Sequence, residues 1–258
     1  MTDVVATVTS CFRAPVKSMQ GLEVDSLEFT VDAAVGDRTW GLIDRDSGKL
    51  MTAKRYSRLL TASADDNTIT LDDGRQVDIG APDASRVLSD WLGRPVELCR
   101  AGEVPDTGYE MTFDPPDDDA EYFEIPTPPG TFLDLAAVHL ISSATLAGCA
   151  EARPDLNWDV RRFRPNLVVD VADHIEPFGE QAWLNRRLRV GTAVLSVGSP
   201  TVRCAMPLRA QPDGLARQPG LFAAMNELNP DHPNHLGLYL QVVNPGTIAV
   251  GDRVHLEG

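Results

Sequence analysis

Apolar and polar residues alternate in short runs along the first hundred residues, and tight turns separate these runs. Alternation with a period of two, rich in β-branched residues, is typical of half-buried strands. Asp72-Asp73-Gly74 stands between two such runs, and a turn of this type is a strong hairpin signal. The pattern predicts strands at residues 4–10, 22–31, 40–44, 49–52, 68–71, 76–79 and 96–100. Short strands joined by tight turns indicate a small barrel or sandwich.

Two segments carry helix signals. Residues 84–92 follow Asp83, a residue type that caps helices, and they end at Gly93. A second helix is expected to begin at Ser142 or Ser143 and to run to about residue 152, because Pro154 cannot continue it. With further strands at 167–171, 188–197 and 247–256, we predict a mainly β protein with a few helices, of the α+β class.

The last two of these strands share a short echo, RVGTAVLSV and AVGDRVHLE. In each, a Gly follows a Val, and Gly permits a bend within a strand. We expect both to be barrel corners.

Residues 113–130 are dense in Pro and Asp. Pro removes donors from a strand ladder and like charges repel, so this stretch is expected to lie outside any packed element. We predict a first domain at 1–112, a loop or linker at 113–130, and a second domain at 131–258. The alternative for the loop is a flap over an active site.

The 258 residues carry a net charge of 23 − 38 = −15, which disfavours binding to nucleic acid or to an anionic membrane. We expect no transmembrane segment and no signal peptide, and therefore a cytoplasmic protein. The cysteines, Cys11, Cys99, Cys149 and Cys204, are far apart in the sequence and form no CxxC pair. They predict reduced thiols, with neither a disulfide framework nor a zinc site.

Cys204 is the first candidate for chemistry, because Arg203 adjoins it and Arg209 follows closely. Basic neighbours stabilise a thiolate, the form that binds metals and attacks electrophiles. The alternative is an inert buried thiol. A second candidate is the group Arg161, Arg162 and Arg164 in DVRRFRPNLVVD, which could hold a phosphate or carboxylate. Its alternative is a surface cluster paired with acidic residues.

Lys17, Ser18 and Arg38, at predicted strand ends, could also bind an anion or could be ordinary loop residues. His232 and His235 have no evident third ligand, so a metal site there is disfavoured. The sequence contains no GxGxxG, P-loop or GxSxG motif, which disfavours nicotinamide dehydrogenases, P-loop NTPases and α/β-hydrolases.

Several of these segments occur together in an order that resembles one family. FRAPVKSMQG, GDRTWGLID and LMTAKRYSRLL are followed by DLAAVHLISSATL, RRFRPNLVVD, TVRCAMP and VVNPGTIAVGDRVHLEG. In this the chain is similar to MOSC-domain proteins with their own N-terminal β-barrel domain, a group that includes the mitochondrial amidoxime-reducing component and its bacterial relatives. The similarity spans nearly the whole chain, except for residues 113–130 and the segment after Cys204.

The resemblance implies an N-terminal barrel-like domain, a MOSC β-barrel domain and a molybdenum cofactor (Mo-pyranopterin) between them, with no pyridoxal phosphate expected. It implies that Cys204 is the metal ligand at the catalytic centre. If Asn166 faces the same cleft as the arginines of DVRRFRPNLVVD, its side-chain amide could recognise a heterocycle. The positions that the resemblance assigns to cofactor binding are Lys17, Ser18, Arg38, Ser142, Ser143, Arg164 and Asn166.

The resemblance further implies an oxidoreductase that reduces a small N-hydroxylated substrate with electrons from a separate partner protein. Two alternatives remain at this stage. Cys204 could carry sulfur as a persulfide or attack a thiol conjugate, or the protein could be a non-catalytic carrier of the cofactor. The sequence leaves the substrate and the oligomeric state open.

Overall fold

The computed structural model describes residues 3–105, 107–111, 121–172 and 174–257. Within these ranges the chain is mainly β with three α-helices, as predicted. The strands are β1 Asp3–Arg13, β2 Leu22–Val24, β3 Ser26–Phe29, β4 Trp40–Asp44, β5 Ser63–Ala64, β6 Thr68–Thr70, β7 Gln76–Asp78, β8 Val96–Arg100, β9 Gly108–Met111, β10 Phe123–Pro126, β11 Val138–Ser142, β12 Leu167–Val171, β13 Arg187–Val190, β14 Ala193–Val202, β15 His235–Asn244, β16 Gly246–Ala249 and β17 Arg253–Glu257. The helices are α1 Ala84–Leu92, α2 Ser143–Ala152 and α3 Gly220–Leu228.

Seven strands form a closed barrel in the order β12-β11-β15-β14-β13-β17-β1, and β1 pairs back to β12 to complete the ring. Closure leaves no exposed strand edge within the ring. Residues on alternating positions fill its interior, among them Leu140, Leu188, Leu195 and Leu238, all fully buried. The pair β11–β12 is parallel, and α2 makes the crossover between its strands.

A second core lies in the part of the chain that contains β4 to β8 and α1. Leu60, Ile69, Leu88 and Trp91 are buried there. Helix α1 has the predicted bounds and ends at Gly93, whose φ of 68° suits glycine. Its start differs from expectation, because the carboxylate of Asp83 accepts a hydrogen bond from Arg86 and caps no backbone N–H.

The first strand belongs to the barrel of the second half of the chain. Strand β1 pairs with β17 at the end of the chain and with β12, both antiparallel. The segment predicted to form the first domain therefore supplies one barrel strand, and the boundaries at 1–112 and 131–258 stay a prediction.

The stretch 113–130 contains an ordered element that was not expected. Strand β10 pairs antiparallel with β9 in a two-stranded sheet. Pro126 is tolerated because it ends this short edge strand, where a missing N–H costs little. Residues 113–120 lie outside the described residues.

Both glycines lie at turns that divide a predicted strand into two, so the expectation of a bend within a single barrel strand is wrong. Gly191 lies between β13 and β14 with φ 54°, and Gly251 lies between β16 and β17 with φ 92°. Their surroundings differ. A Cβ on Gly191 would lie 2.3 Å from the carbonyl oxygen of Thr247 and 2.4 Å from Asp252 Oδ2, whereas Gly251 has open space around it. Of the helices in the described ranges, none has the length and apolarity to cross a membrane.

The different surroundings of Gly191 and Gly251 predict different losses of stability for the same substitution to Ala. Gly191→Ala should lower the free energy of unfolding by about 3 kcal/mol, because backbone strain adds to a clash. Gly251→Ala should cost only about 1 kcal/mol, since strain acts alone there. Urea denaturation of both variants measures the difference, and equal losses would contradict the crowding at Gly191.

Candidate functional site

A cleft lies where the barrel and the second core meet. It encloses about 690 Å³ of space between atoms, part of it open to solvent. The N-terminal part of the chain contributes the segment after β1 and Arg38, which lies two residues before β4. The rest of the wall comes from β11, from β15, and from the loops that follow 3-10 helix Val160–Arg162 and strand β14. The lining residues are Lys17, Ser18, Arg38, Leu133, Asp134, Leu135, Ala136, His139, Arg162, Phe163, Arg164, Asn166, Val202, Arg203, Cys204, Met206, Pro207 and Tyr239.

Six of the eight predicted site residues line this one cleft, although they are spread over nearly 190 positions of the chain. Three of the six, Ser18, Arg38 and Arg164, have positive φ angles of 69°, 50° and 54°. Among the described residues other than Gly, Asn and Asp, only Phe178 shares this conformation. Such conformations cost free energy and are typical of functional sites. The six residues are Lys17, Ser18, Arg38, Arg164, Asn166 and Cys204.

Cys204 is the only one of the four free cysteines that is not buried. It follows β14 and packs beside Met206 at the edge of the second core. The loop that carries it is held on both sides of Arg203, whose N–H donates to Asn234 O at 2.9 Å and whose carbonyl accepts from Asn234 Nδ2 at 2.6 Å. A fixed, accessible thiol in a cleft is suited to ligate a soft metal ion.

Arg203 is buried beside Cys204 without a carboxylate partner among its described contacts. Its guanidinium donates to the carbonyls of Leu236 and Phe163 and to His139 Nε2. Because arginine only donates, Nε2 of His139 is the acceptor and Nδ1 carries the proton, which faces Arg164 O at 3.4 Å. Burial, with the positive charge of Arg203, holds the pKa of His139 well below its usual value, so this imidazole is neutral.

The three arginines of DVRRFRPNLVVD, Arg161, Arg162 and Arg164, have three different roles. Arg161 is a surface residue paired with Asp159 and Asp213, as the alternative interpretation expected. Arg162 is buried and donates to the carbonyls of Pro207, Arg209 and Ala216, so it clamps the segment after Cys204. Of the three, Arg164 alone keeps a buried N–H with no partner among the described residues, and it also lines the cleft.

Arg164 is the clearest anion-binding group. Its Nη1 donates to Met19 O at 2.7 Å, while its buried Nη2 has no hydrogen-bond partner among the described residues. Burial and the nearby charge of Arg38 lower its pKa to about 10, which leaves it charged at neutral pH. A buried donor without a partner costs free energy, and an anionic ligand would recover it.

Asn166 has a structural role that the sequence did not show. Its side-chain oxygen accepts from His139 N at 3.0 Å, and its Nδ2 donates to Asp37 Oδ2 at 3.0 Å and to Phe12 O at 3.3 Å. Both ends of the amide therefore bond to protein groups, and recognition of a heterocycle by Asn166 stays a prediction. Asp37 in turn pairs with Arg38 and so fixes it at the cleft.

Lys17 belongs to a buried charge cluster that the sequence did not indicate. Its Nζ donates to Phe132 O at 2.5 Å and to Asp134 Oδ1 at 2.7 Å. Lys54 Nζ reaches the same Asp134 oxygen at 3.0 Å, and both ammonium groups lie over the ring of Tyr109. Burial lowers the pKa of Lys17 to about 8, against the opposing effect of Asp134.

Ser142 and Ser143 lie outside the cleft lining, which differs from their expected place beside the ligand. Ser142 is the N-cap of α2: its oxygen accepts from Thr145 N at 3.1 Å and its hydroxyl lies 3.0 Å from Glu180 Oε2. The hydroxyl of Ser143 donates to Asp170 Oδ1 at 2.7 Å. The helix cap uses the serine that the resemblance assigned to the cofactor.

The described residues contain no group of three or more His, Cys, Asp or Glu side chains able to hold a metal ion by themselves. His232 and His235 form an edge-to-face ring pair at 6.1 Å. The cleft instead combines one accessible thiol with several cations. This arrangement fits a ligand that carries its own metal-binding groups and an anion.

The capping role predicts that Ser142→Ala lowers the free energy of unfolding by about 1–2 kcal/mol, because it removes a cap and a donor to buried Glu180. Ser143→Ala should stay within about 0.5 kcal/mol of the parent protein. Thermal and urea denaturation measure both. A larger loss for Ser143→Ala than for Ser142→Ala would refute the capping role.

The pKa of Lys17 predicts pH-dependent anion binding. Lys17 is an ammonium below pH 8 and becomes neutral above it, so its attraction for anions declines as pH rises through about 8. Protection against heat by inorganic sulfate, whose charge is constant here, should correspond to about tenfold weaker binding at pH 9 than at pH 7. Lys17→Arg should keep most of the protection at pH 9, because its guanidinium stays charged. An unchanged sulfate affinity across this range would contradict the role of Lys17.

The chain matches two sequence profiles, the MOSC domain over residues 128–255 and the MOSC N-terminal beta barrel domain over residues 5–95. It is 24% identical to mitochondrial amidoxime-reducing component 1 of Homo sapiens, over 98% of this chain and 84% of that protein. It is 25% identical to molybdenum cofactor sulfurase of Oryza sativa subsp. japonica, over 74% of this chain but 27% of that protein. The solved structure of the YUAD protein from Bacillus subtilis aligns with a TM-score of 0.47 at 12% identity, covering 99% and 98% of the two chains.

The two profiles together cover most of the chain, and each contains residues that line the cleft. One contains Lys17, Ser18 and Arg38, and the other contains Arg164 and Cys204. The protein therefore belongs to the MOSC-domain family and carries the MOSC N-terminal β-barrel domain.

Proposed function

We propose that the cleft binds the pyranopterin molybdenum cofactor and that the protein is an oxidoreductase that reduces small N-hydroxylated compounds. One observation carries the proposal: the only accessible cysteine, Cys204, lines the same cleft as an arginine with a buried, unsatisfied N–H. Two relatives support it through their names, one an amidoxime-reducing component and the other a molybdenum cofactor sulfurase.

The residues of the cleft fit this cofactor in two respects. A thiolate is a soft ligand suited to molybdenum, and Cys204 would provide it. The cofactor's terminal phosphate needs cationic donors. Arg164 has an N–H that no described residue occupies, and Lys17 and Arg38 lie in the same lining. When bound, the cofactor supplies the two-electron redox chemistry.

The protein's own contribution is binding, orientation and charge. Arg203, buried next to Cys204, adds a positive charge to this part of the cleft lining. Arg162 holds the carbonyls of the segment that follows Cys204 and so limits its movement. Tyr239 and the apolar residues Leu133 and Leu135 line the remaining wall, where the carbon part of a substrate would lie.

The reaction takes two electrons and two protons: the N–O bond breaks, an N–H bond forms and water leaves. We propose that a separate protein donates the electrons. The physiological substrate is one with an accessible N–OH group, small enough to enter a cleft of this size.

The test is Cys204→Ser, made in a host that synthesises the cofactor. The variant should fold like the parent protein but lose its molybdenum content and its reduction of a model aryl hydroxylamine by at least about a hundredfold, because the hydroxyl is a poor soft-metal ligand. Cys149→Ala is the matched control, since this buried thiol in α2 lies away from the cleft and should leave both properties unchanged.

Other results would redirect the proposal. Normal molybdenum content and turnover in Cys204→Ser would refute the role of the thiolate. Molybdenum and pterin without turnover in the parent protein would favour a cofactor carrier. Labile sulfane sulfur on Cys204, without molybdenum, would favour a sulfur carrier.

A further inference from the structure

The charge cluster beside the cleft contains two lysines, Lys17 and Lys54, and a single carboxylate, that of Asp134. Asp134 Oδ1 accepts from Lys17 at 2.7 Å and from Lys54 at 3.0 Å, so two ammonium groups share one carboxylate oxygen. Both lysine side chains are almost completely buried, at 4% and 2% exposure. One ammonium group is enough to balance the single negative charge of the Asp134 carboxylate. The other is therefore available for a second anion.

The two lysines differ in what they can reach. Lys17 lines the cleft, whereas Lys54 is not among its lining residues. Two hydrogen bonds to the backbone carbonyl of Lys54 hold this residue outside the cleft lining. The donors are Arg209 Nη2 at 2.8 Å and the hydroxyl of Tyr122 at 3.4 Å. Its ammonium lies 3.9 Å from the centre of the Tyr109 ring, closer than that of Lys17 at 5.0 Å. The ring thus holds Lys54 in place more firmly.

We propose that Lys54 is a positioning residue: it neutralises Asp134 so that Lys17 is free to turn to the phosphate of the ligand in the cleft. The inference rests on the proposed function, in which Lys17 contacts that phosphate. Without Lys54, Lys17 would be the only cation paired with Asp134, whose side chain is 32% exposed, and moving Lys17 would leave this partly buried charge without a cationic partner. The two ammonium groups hold the pKa of Asp134 well below its usual value even though burial acts to raise it, so the carboxylate is ionised.

The experiment measures the apparent Kd of the cofactor-free protein for inorganic phosphate at pH 7 and constant ionic strength, from protection against thermal unfolding. Lys54→Gln should weaken phosphate binding about tenfold, because Lys17 is then retained by Asp134. Lys54→Arg should stay within about threefold of the parent protein, since the guanidinium still compensates Asp134. Lys49→Gln is the charge-matched control, because Lys49 pairs with Glu110 and Glu124 outside the cleft lining.

A double variant separates positioning from simple loss of structure. Lys54→Gln with Asp134→Asn should recover phosphate binding to within about threefold, because no carboxylate then competes for Lys17. Asp134→Asn alone should bind phosphate at least as tightly as the parent protein, and it tests the idea even if Lys54→Gln does not fold.

Three outcomes would overturn the inference: parental affinity in Lys54→Gln, no recovery in the double variant, or no phosphate protection of the parent protein. These readouts need neither molybdenum nor turnover. Normal molybdenum content and turnover in Cys204→Ser would therefore refute the role of the thiolate and leave the coupling of Lys17, Asp134 and Lys54 standing.

Discussion

The pairing of β1 with β17 and β12 is the constraint on which the site depends. It joins the first residues of the chain to the last and closes the seven-stranded barrel. Lys17 and Ser18 lie four and five residues after this strand, so closure brings them to the cleft that Cys204 also lines. If β1 were displaced, the barrel would open and the cleft would lose its N-terminal cations together.

The cleft concentrates positive charge within a chain of net charge −15. It does so by using backbone carbonyls, and few carboxylates, as the partners of its cations. Arg162 and Arg203 donate mainly to carbonyls, and Arg164 keeps one N–H that has no partner in the described part of the chain. Two acidic residues, Asp37 and Asp134, hold Arg38 and Lys17 without removing the excess of positive charge. An anion therefore gains both attraction and unsatisfied donors when it enters.

Backbone strain and charge occur at the same positions. Ser18, Arg38 and Arg164 combine left-handed backbone conformations with places in the cleft lining. Each is held by contacts from distant segments: the hydroxyl of Ser18 accepts from Ala53 N, Arg38 N donates to Ala14 O, and Arg164 Nη1 donates to Met19 O. The surrounding fold supports conformations that these residues would seldom adopt alone. This rigidity preorganises the site for its ligand and lowers the entropic cost of binding.

Local patterns along the sequence determined the elements and the main chemistry. The strand at 40–44 and helix α1 depend on neighbouring residues, so periodicity and turn residues predicted them. The cysteine and the cations of the motifs were visible for the same reason. The tertiary structure alone decided which polar groups are free. In the tertiary structure β1 closes the barrel, Ser142 caps a helix and the amide of Asn166 bonds to protein groups. Of three neighbouring arginines, Arg164 is the one whose N–H has no partner among the described residues. Lys54 pairs with Asp134, which is 80 positions away in the sequence. Those outcomes arise from contacts between distant segments, where burial and competing partners decide the role of each side chain, and no local pattern records them.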